Sequence, residues 1–377
     1  MKGGFDEFDG GGLTILLGDG NGGWIDNNSI ASGNSSKMGT VTAGDINSDG
    51  NPDLVYTLNF LGGGAKSRPL ISMGDGQGGF APRIFIPGSV DDRANDVAIA
   101  DMNQDTIPDV IWTDSFNDWI VVALGNGDGT FAPWNNVAAQ NPFSIAIADM
   151  NQDSVPDVVV TANPTQQGSI YVYLGDGTGN LTFASSSSGV GGGIEIANLN
   201  GDAFPDVITG GIIRFGLGDG TLSSSTVLPS AGVDIAVADF DLDGLDDVAT
   251  ISGGTNAPFR VHRNLGGGVF AQPVFFTSVL TQPRLIDAVD LNGDLLPDVL
   301  QTARNLGQNA LLTVHLNTTP APVSGDVNCD GVLDAADALT LAAVLVGTDL
   351  DACHTASADM NGDGAANGPD IEPFLAA

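Results

Sequence analysis

Positive charge is scarce in this 377-residue chain: 11 Lys and Arg stand against 46 Asp and Glu, for a formal charge of −35. A surface that binds phosphates needs the opposite sign, so nucleic acid is excluded as a partner and anionic membranes are disfavoured. Long apolar runs are missing as well. No stretch approaches the roughly 18 residues a membrane-crossing helix requires; the longest candidate, Ala338 to Val346, reads as a short core helix, and no membrane insertion is expected. Residues 1–12 (MKGGFDEFDGGG) lack the apolar segment of a secretory signal and read as a truncated N-terminus. Histidine occurs three times, at the scattered positions His262, His315 and His354, with no Gly-x-Ser-x-Gly elbow and no His-Glu-x-x-His helix. Nucleophilic and zinc catalysis therefore find no support. His262 and His315 fall in alternating patterns and read as packing or surface residues. Aromatic residues make up 6% of the chain while glycine occurs 53 times, which points to many tight turns between short strands rather than to a helical enzyme.

What the chain has in abundance is one acidic frame. The segment DMNQD occurs at Asp101 to Asp105 and again at Asp149 to Asp153, and the nine-residue pattern around it, D/N-x-D/N-x-D-x-x-x-D, occurs six times. The copies are Asp45/Asn47/Asp49/Asp53, Asp101/Asn103/Asp105/Asp109, Asp149/Asn151/Asp153/Asp157, Asn198/Asn200/Asp202/Asp206, Asp239/Asp241/Asp243/Asp247 and Asp290/Asn292/Asp294/Asp298. Oxygen side chains at positions 1, 3, 5 and 9 wrap a hard cation such as calcium, with the carbonyl of position 7 expected to complete the shell. One copy alone could be an Asx-turn at a corner; six with the same ligand positions point to ion binding, chiefly in a structural role. The fourth copy, with two carboxylates, offers the poorest site.

First positions of successive frames lie 56, 48, 49, 41 and 51 residues apart, a period that indicates stacked or radial repeats. Residues 144–183 show the grammar of one unit. Ser144 to Ala148 is the first strand, the acidic loop follows, Asp157 to Ala162 is the second, Ile170 to Leu174 the third, and a Gly-Asp-Gly turn leads to a fourth near Phe183. Proline at position 8 (Pro52, Pro108, Pro156, Pro205, Pro297, with Asp246 in the fifth copy) fixes the entry into the second strand. Antiparallel four-stranded units at this spacing are blades of a β-propeller, so the fold class is mainly β. The runs GDGNGG (Gly18 to Gly23) and GDGQGG (Gly74 to Gly79) satisfy the dinucleotide pattern formally, but a strand rather than a helix should follow each, so they read as hairpin turns.

The acidic loops, the PDVV segments and the LGDGxGxF segments resemble the FG-GAP/VCBS-like repeats of integrin-type β-propellers, over residues 10–317. Six blades carry the calcium loop. Residues 13–30 supply the third and fourth strands of a partial blade, and the last unit ends after its third strand at Leu316. A seven-bladed ring, as the family often forms, is the expected architecture and needs strands beyond these.

After a propeller domain at 1–317, residues 318–324 (TTPAPVS) form a linker of small residues and proline, and the grammar changes. Asp326/Asn328/Asp330/Asp334/Asp337 and Asp359/Asn361/Asp363/Asn367/Asp370 are twelve-residue loops with oxygen ligands at 1, 3, 5, 9 and 12 and glycine at 6, the EF-hand arrangement with Asp in place of the final Glu. Each loop runs into an apolar segment read as a helix. The duplicated loop-helix at 325–377 resembles a type I dockerin domain, a small α-helical calcium-binding module. That resemblance implies two further calcium ions and attachment to a cohesin-type partner. Family members contact cohesin through loop positions 10 and 11, here Ala335/Ala336 and Gly368/Pro369, which departs from the hydroxyl or charged pairs usual there. Cys329 and Cys353, both in this module, read as a disulfide joining its halves, with a pair of buried thiols as the alternative.

With six calcium ions in the propeller and two in the dockerin-like module, the ions would cancel roughly half of the net charge. Paired cysteines and a calcium load suit an extracellular or cell-surface setting. The reading that results is a monomeric, non-catalytic calcium-binding propeller for adhesion or recognition of a protein or glycan ligand on a propeller face. The alternative is a calcium-dependent polysaccharide lyase or other carbohydrate-active enzyme. It requires a Lys, Arg, Tyr or His base beside a substrate-bridging calcium, and the basic residues show no regular placement near the acidic loops. A third reading makes Trp112, Trp119 and Trp134 a sugar platform; core packing is its competitor.

Overall fold

The computed structural model describes residues 12–18, 24–31, 36–60, 67–86, 94–162, 168–189, 193–228, 232, 234–252, 258–277, 283–303, 311–318 and 335–345. Within these the molecule is a six-bladed β-propeller preceded by a hairpin and followed by a single helix. Strands β1 (Gly12–Gly18) and β2 (Trp24–Ala31) form the hairpin. Blade 1 is β3 (Ser36–Gly44), β4 (Asp53–Phe60), β5 (Ser67–Ser72) and β6 (Ile84–Phe85). Blade 2 is β7 (Ala94–Ala100), β8 (Asp109–Asp114), β9 (Trp119–Ala123) and β10 (Asn135–Ala138). Blade 3 follows with β11 (Pro142–Ala148), β12 (Asp157–Ala162), β13 (Ser169–Gly175) and β14 (Leu181–Ser188). Blade 4 is β15 (Ile194–Ala197), β16 (Asp206–Thr209), β17 (Ile212–Gly216) and β18 (Leu222–Val227). Blade 5 comprises β19 (Asp234–Ala238), β20 (Asp247–Ile251), β21 (Phe259–His262) and β22 (Val274–Phe276). Blade 6 has three strands, β23 (Pro283–Val289), β24 (Asp298–Ala303) and β25 (Leu311–His315). The helix α1 (Ala335–Leu345) covers most of the apolar run expected to be one.

Every sheet is an antiparallel meander in sequence order. The second strand of each blade is the most enclosed element: all residues of β8, β12, β16 and β20 are buried. Its run of Val, Ile, Thr and Ala suits this position, because β-branched side chains pack well on a pleated surface covered on both faces. Adjacent blades meet through separate apolar clusters rather than one common core. Val55, Ile71, Val110 and Trp112 join blades 1 and 2, and Ile111, Ile120, Val158 and Val160 join blades 2 and 3. Trp119 and Trp134 pack against the first of these clusters, their rings 6.3 Å apart. The tryptophans follow the core-packing reading, with Trp112 only 1% exposed and out of reach of a sugar. Beside the six blades, the partial unit remains the two-stranded hairpin β1–β2, packed on blade 1 through Leu13, Ile15 and Ile30. No seventh full sheet forms among the described residues, so the ring has six blades where seven were expected. Neither glycine-rich run opens a helix: β2 follows the first, and the second closes a turn bridged by Gly74 and Phe80.

Candidate metal centre

The acidic frame is the loop between the first and second strands of each blade, and its register is the same six times. The residue before position 1 pairs with the Asp at position 9: Gly44 with Asp53, Ala100 with Asp109, Ala148 with Asp157, Ala197 with Asp206, Ala238 with Asp247 and Val289 with Asp298. Position 9 is thus the first residue of the second strand. All six of these aspartates are at most 1% exposed. In each, Oδ2 accepts the backbone N–H of position 2 (Ile46, Met102, Met150, Leu199, Phe240, Leu291) at 2.7–3.2 Å. Oδ1 accepts an N–H from just beyond the third strand or its last residue (Gly74, Gly125, Gly175, Gly216, Asn264, Asn317) at 2.7–2.9 Å. One carboxylate therefore ties the loop to the end of the third strand, satisfying donors that burial would otherwise strand.

Burial also resists ionisation there. Desolvation pushes the Asp109, Asp157 and Asp206 carboxyls up to about 6 against the backbone donors that favour the charged form. Desolvation, reinforced by the charges of Asp241 and Asp243, pushes Asp247 up to about 8.

Position 1 organises the tip. Asp45, Asp101, Asp149 and Asp239 each accept the N–H groups of positions 5 and 6, one on each oxygen. Asn198 accepts the N–H of Gly201 instead, and Asp290 those of Asn292, Gly293 and Leu295. The backbone at positions 4 and 6 is left-handed in all six loops, by glycine at Gly50, Gly201, Gly244 and Gly293, but also by Ser48, Gln104, Thr106, Gln152, Ser154, Ala203, Leu242 and Leu295. A non-glycine residue costs roughly 1 kcal/mol or more in this region, so the carboxylate acceptors hold a tip that these residues would not adopt alone. Two glutamines join neighbouring loops: Gln104 Nε2 donates to Ser154 O at 2.8 Å and Gln152 Nε2 to Ala203 O at 3.3 Å. The repeated DMNQD segment carries this signal, and a reading of its oxygens alone passes over it. Such a reading also passes over position 2, whose apolar side chain is buried between blades in the first five copies, from Ile46 to Phe240.

At positions 3 and 5 the side chains are hydrogen-bonded to one another and to the tip backbone in five of the six loops. Asn47, Asn103, Asn151, Asn200 and Asn292, at position 3, each accept the position-5 N–H on Oδ1 at 2.9–3.1 Å. Their Nδ2 groups donate to the position-5 carboxylates of Asp49, Asp105, Asp153, Asp202 and Asp294 at 2.8–2.9 Å. Those five aspartates are exposed, and each accepts the position-7 N–H on its other oxygen at 2.8–2.9 Å. The physical reason is local: in a tip full of backbone donors, the nearest partner for an Asn or Asp oxygen is the loop itself. In these five copies the residues at positions 3 and 5 share one hairpin tip, with their oxygens engaged in Asx-type hydrogen bonds.

The fifth loop differs. It has Asp241 at position 3, and a carboxylate has no N–H to donate to position 5. Asp241 Oδ1 and Asp243 Oδ2 are buried without a hydrogen-bond partner, and carboxylate oxygens of Asp239, Asp241 and Asp247 lie within 4.8 Å of one another. Among the described residues this is the one loop where three carboxylates converge so closely. Oxygen-only donors, orphaned and convergent, fit a hard divalent cation.

Of the ten ligand positions expected in the C-terminal module, nine lie outside the described residues: Asp326, Asn328, Asp330 and Asp334 of the first loop, and Asp359, Asn361, Asp363, Asn367 and Asp370 of the second. Asp337 falls within α1, three residues into the helix that the first loop was expected to open. Cys329 and Cys353, and with them the expected disulfide, also lie outside the described residues.

The FG-GAP-like repeat family matches residues 101–160, 149–209 and 239–300, each span running from one acidic loop into the next stretch of blade. The type I dockerin family matches residues 324–372. The chain is an FG-GAP-repeat propeller with a type I dockerin domain. Both kinds of module are generally calcium-binding, a dockerin domain implies a cohesin partner, and dockerin domains occur in extracellular or cell-surface proteins. No helix among the described residues is long and apolar enough to cross a membrane. No curated protein matches significantly. Among solved structures, the N-terminal part of BBS1 in complex with ARL6 is 13% identical, with 84% of this FG-GAP chain and 94% of that chain covered at a TM-score of 0.54. An Agrocybe aegerita lectin that recognises non-reducing terminal N-acetylglucosamine is 18% identical over 75% and 81% of the chains, at 0.48. The V. cholerae biofilm matrix protein Bap1 is 12% identical over 83% and 85%, at 0.42. The first of these likenesses supports the propeller fold.

Proposed function

We propose that this chain is a calcium-loaded display and recognition protein: a non-catalytic propeller (residues 1–317) that binds a protein or glycan ligand on one face, a linker at 318–324, and a dockerin domain (325–377) that fixes it to a cohesin outside the cell. Six ions would sit in the propeller, one per acidic loop, and two in the dockerin domain. The observation that carries the calcium reading is the fifth loop, where two buried carboxylate oxygens have no partner and three aspartates converge. An ion there satisfies the orphaned oxygens and offsets the repulsion that helps to raise Asp243 and Asp247. In the remaining loops the same positions would turn their oxygens from the hydrogen-bonded tip toward the ion. The role of the ions is structural: they hold strained hairpin tips and, through position 9, the ends of the third strands.

The test is elemental analysis of purified, extensively dialysed protein, expected to return several bound calcium ions per chain. Negligible bound metal would refute the reading. Attachment is tested separately, by calcium-dependent capture on an immobilised type I cohesin, which should be lost in chelator.

A further inference from the structure

The two glutamines that join neighbouring tips stand at position 4, between the oxygen residues of positions 3 and 5: Gln104 between Asn103 and Asp105, Gln152 between Asn151 and Asp153. Each donates to the same place in the next loop, Gln104 to Ser154 O at 2.8 Å and Gln152 to Ala203 O at 3.3 Å. These carbonyls belong to the peptide units that link positions 6 and 7. The N–H of the same units donates to the position-5 carboxylate, Val155 N to Asp153 Oδ1 at 2.8 Å and Phe204 N to Asp202 Oδ1 at 2.9 Å. A peptide unit is planar, so a bond at its oxygen helps to set the direction of its N–H, and hydrogen bonds in series polarise one another. One path therefore runs from Asp105 through Gln104 to Asp153, and from Asp153 through Gln152 to Asp202.

The backbone on both sides of each tie is left-handed, with φ of 61° at Gln104 and Gln152, 66° at Ser154 and 71° at Ala203. Each glutamine thus clasps two tips that hold strain. The same two junctions carry a second tie, from a turn glycine of the following blade to the position-2 carbonyl: Gly179 N to Met102 O at 3.2 Å and Gly220 N to Met150 O at 3.1 Å. In the other loops position 4 is Ser48, Gly201, Leu242 or Gly293, none of which carries an amide to extend to a neighbouring tip.

We propose that the acidic loops of blades 2, 3 and 4 take up calcium as one positively coupled unit, while those of blades 1, 5 and 6 load apart from it. This rests on the calcium reading above. An ion in the blade 2 loop fixes Asn103 and Asp105 and with them Gln104, which then holds the Ser154–Val155 peptide and sets the blade 3 tip before its own ion arrives. Gln152 passes the same constraint to blade 4. A site set in advance by its neighbour binds more tightly, and linkage makes the effect reciprocal. Charge alone gives the opposite sign, since each bound cation repels the next.

The test is a calcium titration of the full chain from the chelated state, followed by amide NMR at the position-7 N–H, which donates to the position-5 carboxylate in every loop. Asp105→Ala disables the blade 2 loop. Blades 1 and 3 flank it, and only the blade 3 loop is tied to it by a glutamine, so Asn51 reports the change of charge and Val155 the change of charge and the lost tie. The calcium midpoint at Val155 is expected to rise roughly two- to fivefold relative to that at Asn51. Adding Gln104→Met should remove the difference. Asp202→Ala repeats the comparison from the other end, with Val155 tied through Gln152 and Leu245 untied, and keeps the test sharp if the first variant folds poorly. Equal shifts in the tied and untied neighbours, or a difference that survives Gln104→Met, overturn the coupling while all six loops still respond to calcium. Amides unmoved in every loop overturn the calcium reading itself and this inference with it.

Discussion

Arg263 Nε lies 3.6 Å from Asp241 Oδ2, and each residue is the exception at its repeat position. Position 3 is Asn in the other five loops, and the residue before the turn is apolar in the other five blades. The added carboxylate and the added guanidinium therefore offset one another. Because both side chains are partly exposed, at 21% and 36%, the direct coupling should be modest. A double-mutant cycle of Asp241→Asn and Arg263→Leu in chelator, read by urea unfolding, is expected to give about 1 kcal/mol or less. Asp241→Asn alone should stabilise the metal-free protein, by relieving a cluster of four carboxylates, and weaken calcium binding severalfold.

Replacing a position-9 aspartate should cost far more than replacing a tip ligand. Asp157 is fully buried and accepts two backbone N–H groups, from Met150 at 2.7 Å and Gly175 at 2.9 Å. Asp157→Ala leaves both donors without partners and is expected to destabilise by roughly 3 kcal/mol or more. Asp153 lies exposed on the same loop, and Asp153→Ala in chelator should cost about 1 kcal/mol or less. Urea unfolding of the two variants without calcium separates the roles, since metal loss cannot contribute to either value.

The blades and the loop positions were legible because both are periodic. The strands read in residues 144–183 appear within two residues of their expected limits at β11, β12, β13 and β14, since β-branched runs and glycine turns act locally. The division of labour among the oxygens was not. The frame marks positions 1, 3, 5 and 9 alike, yet Asp157 is buried in the strand register while Asn151 is half-buried and Asp153 exposed at the tip, a difference that only strand pairing creates.

Left-handed backbone at Leu295 yields a prediction of opposite sign. Leu295 has φ 72° and is 80% exposed, so its side chain gains little from burial. Glycine occupies the same loop position at Gly50 and Gly244. Leu295→Gly should stabilise by about 0.5–1 kcal/mol, the relief of left-handed strain exceeding the added freedom of the unfolded chain. A thermal melt in saturating calcium is the measurement; a lowered midpoint would show that Leu295 makes contacts that outweigh its strain.

Calcium should matter more as pH rises. Asp109, Asp157 and Asp206 are held up near 6 and Asp247 near 8, from an ordinary 3.8. A raised carboxyl binds its proton more tightly in the folded chain than in the unfolded one. The folded state therefore carries extra protons between about pH 4 and pH 8, and ionising these groups across that window subtracts from stability. In chelator, stability should fall as pH is raised from 5 to 8. A divalent ion reverses the sign, because it favours the ionised carboxylates and competes with the proton. At a hundredfold excess over its dissociation constant each ion adds about 2.7 kcal/mol. The chelator-induced drop in melting temperature should thus exceed about ten degrees at pH 8 and be markedly smaller at pH 5. Differential scanning calorimetry at both pH values, with and without calcium, decides it: equal drops would detach the buried aspartates from the ion, and no drop at either pH would remove calcium from the fold's support.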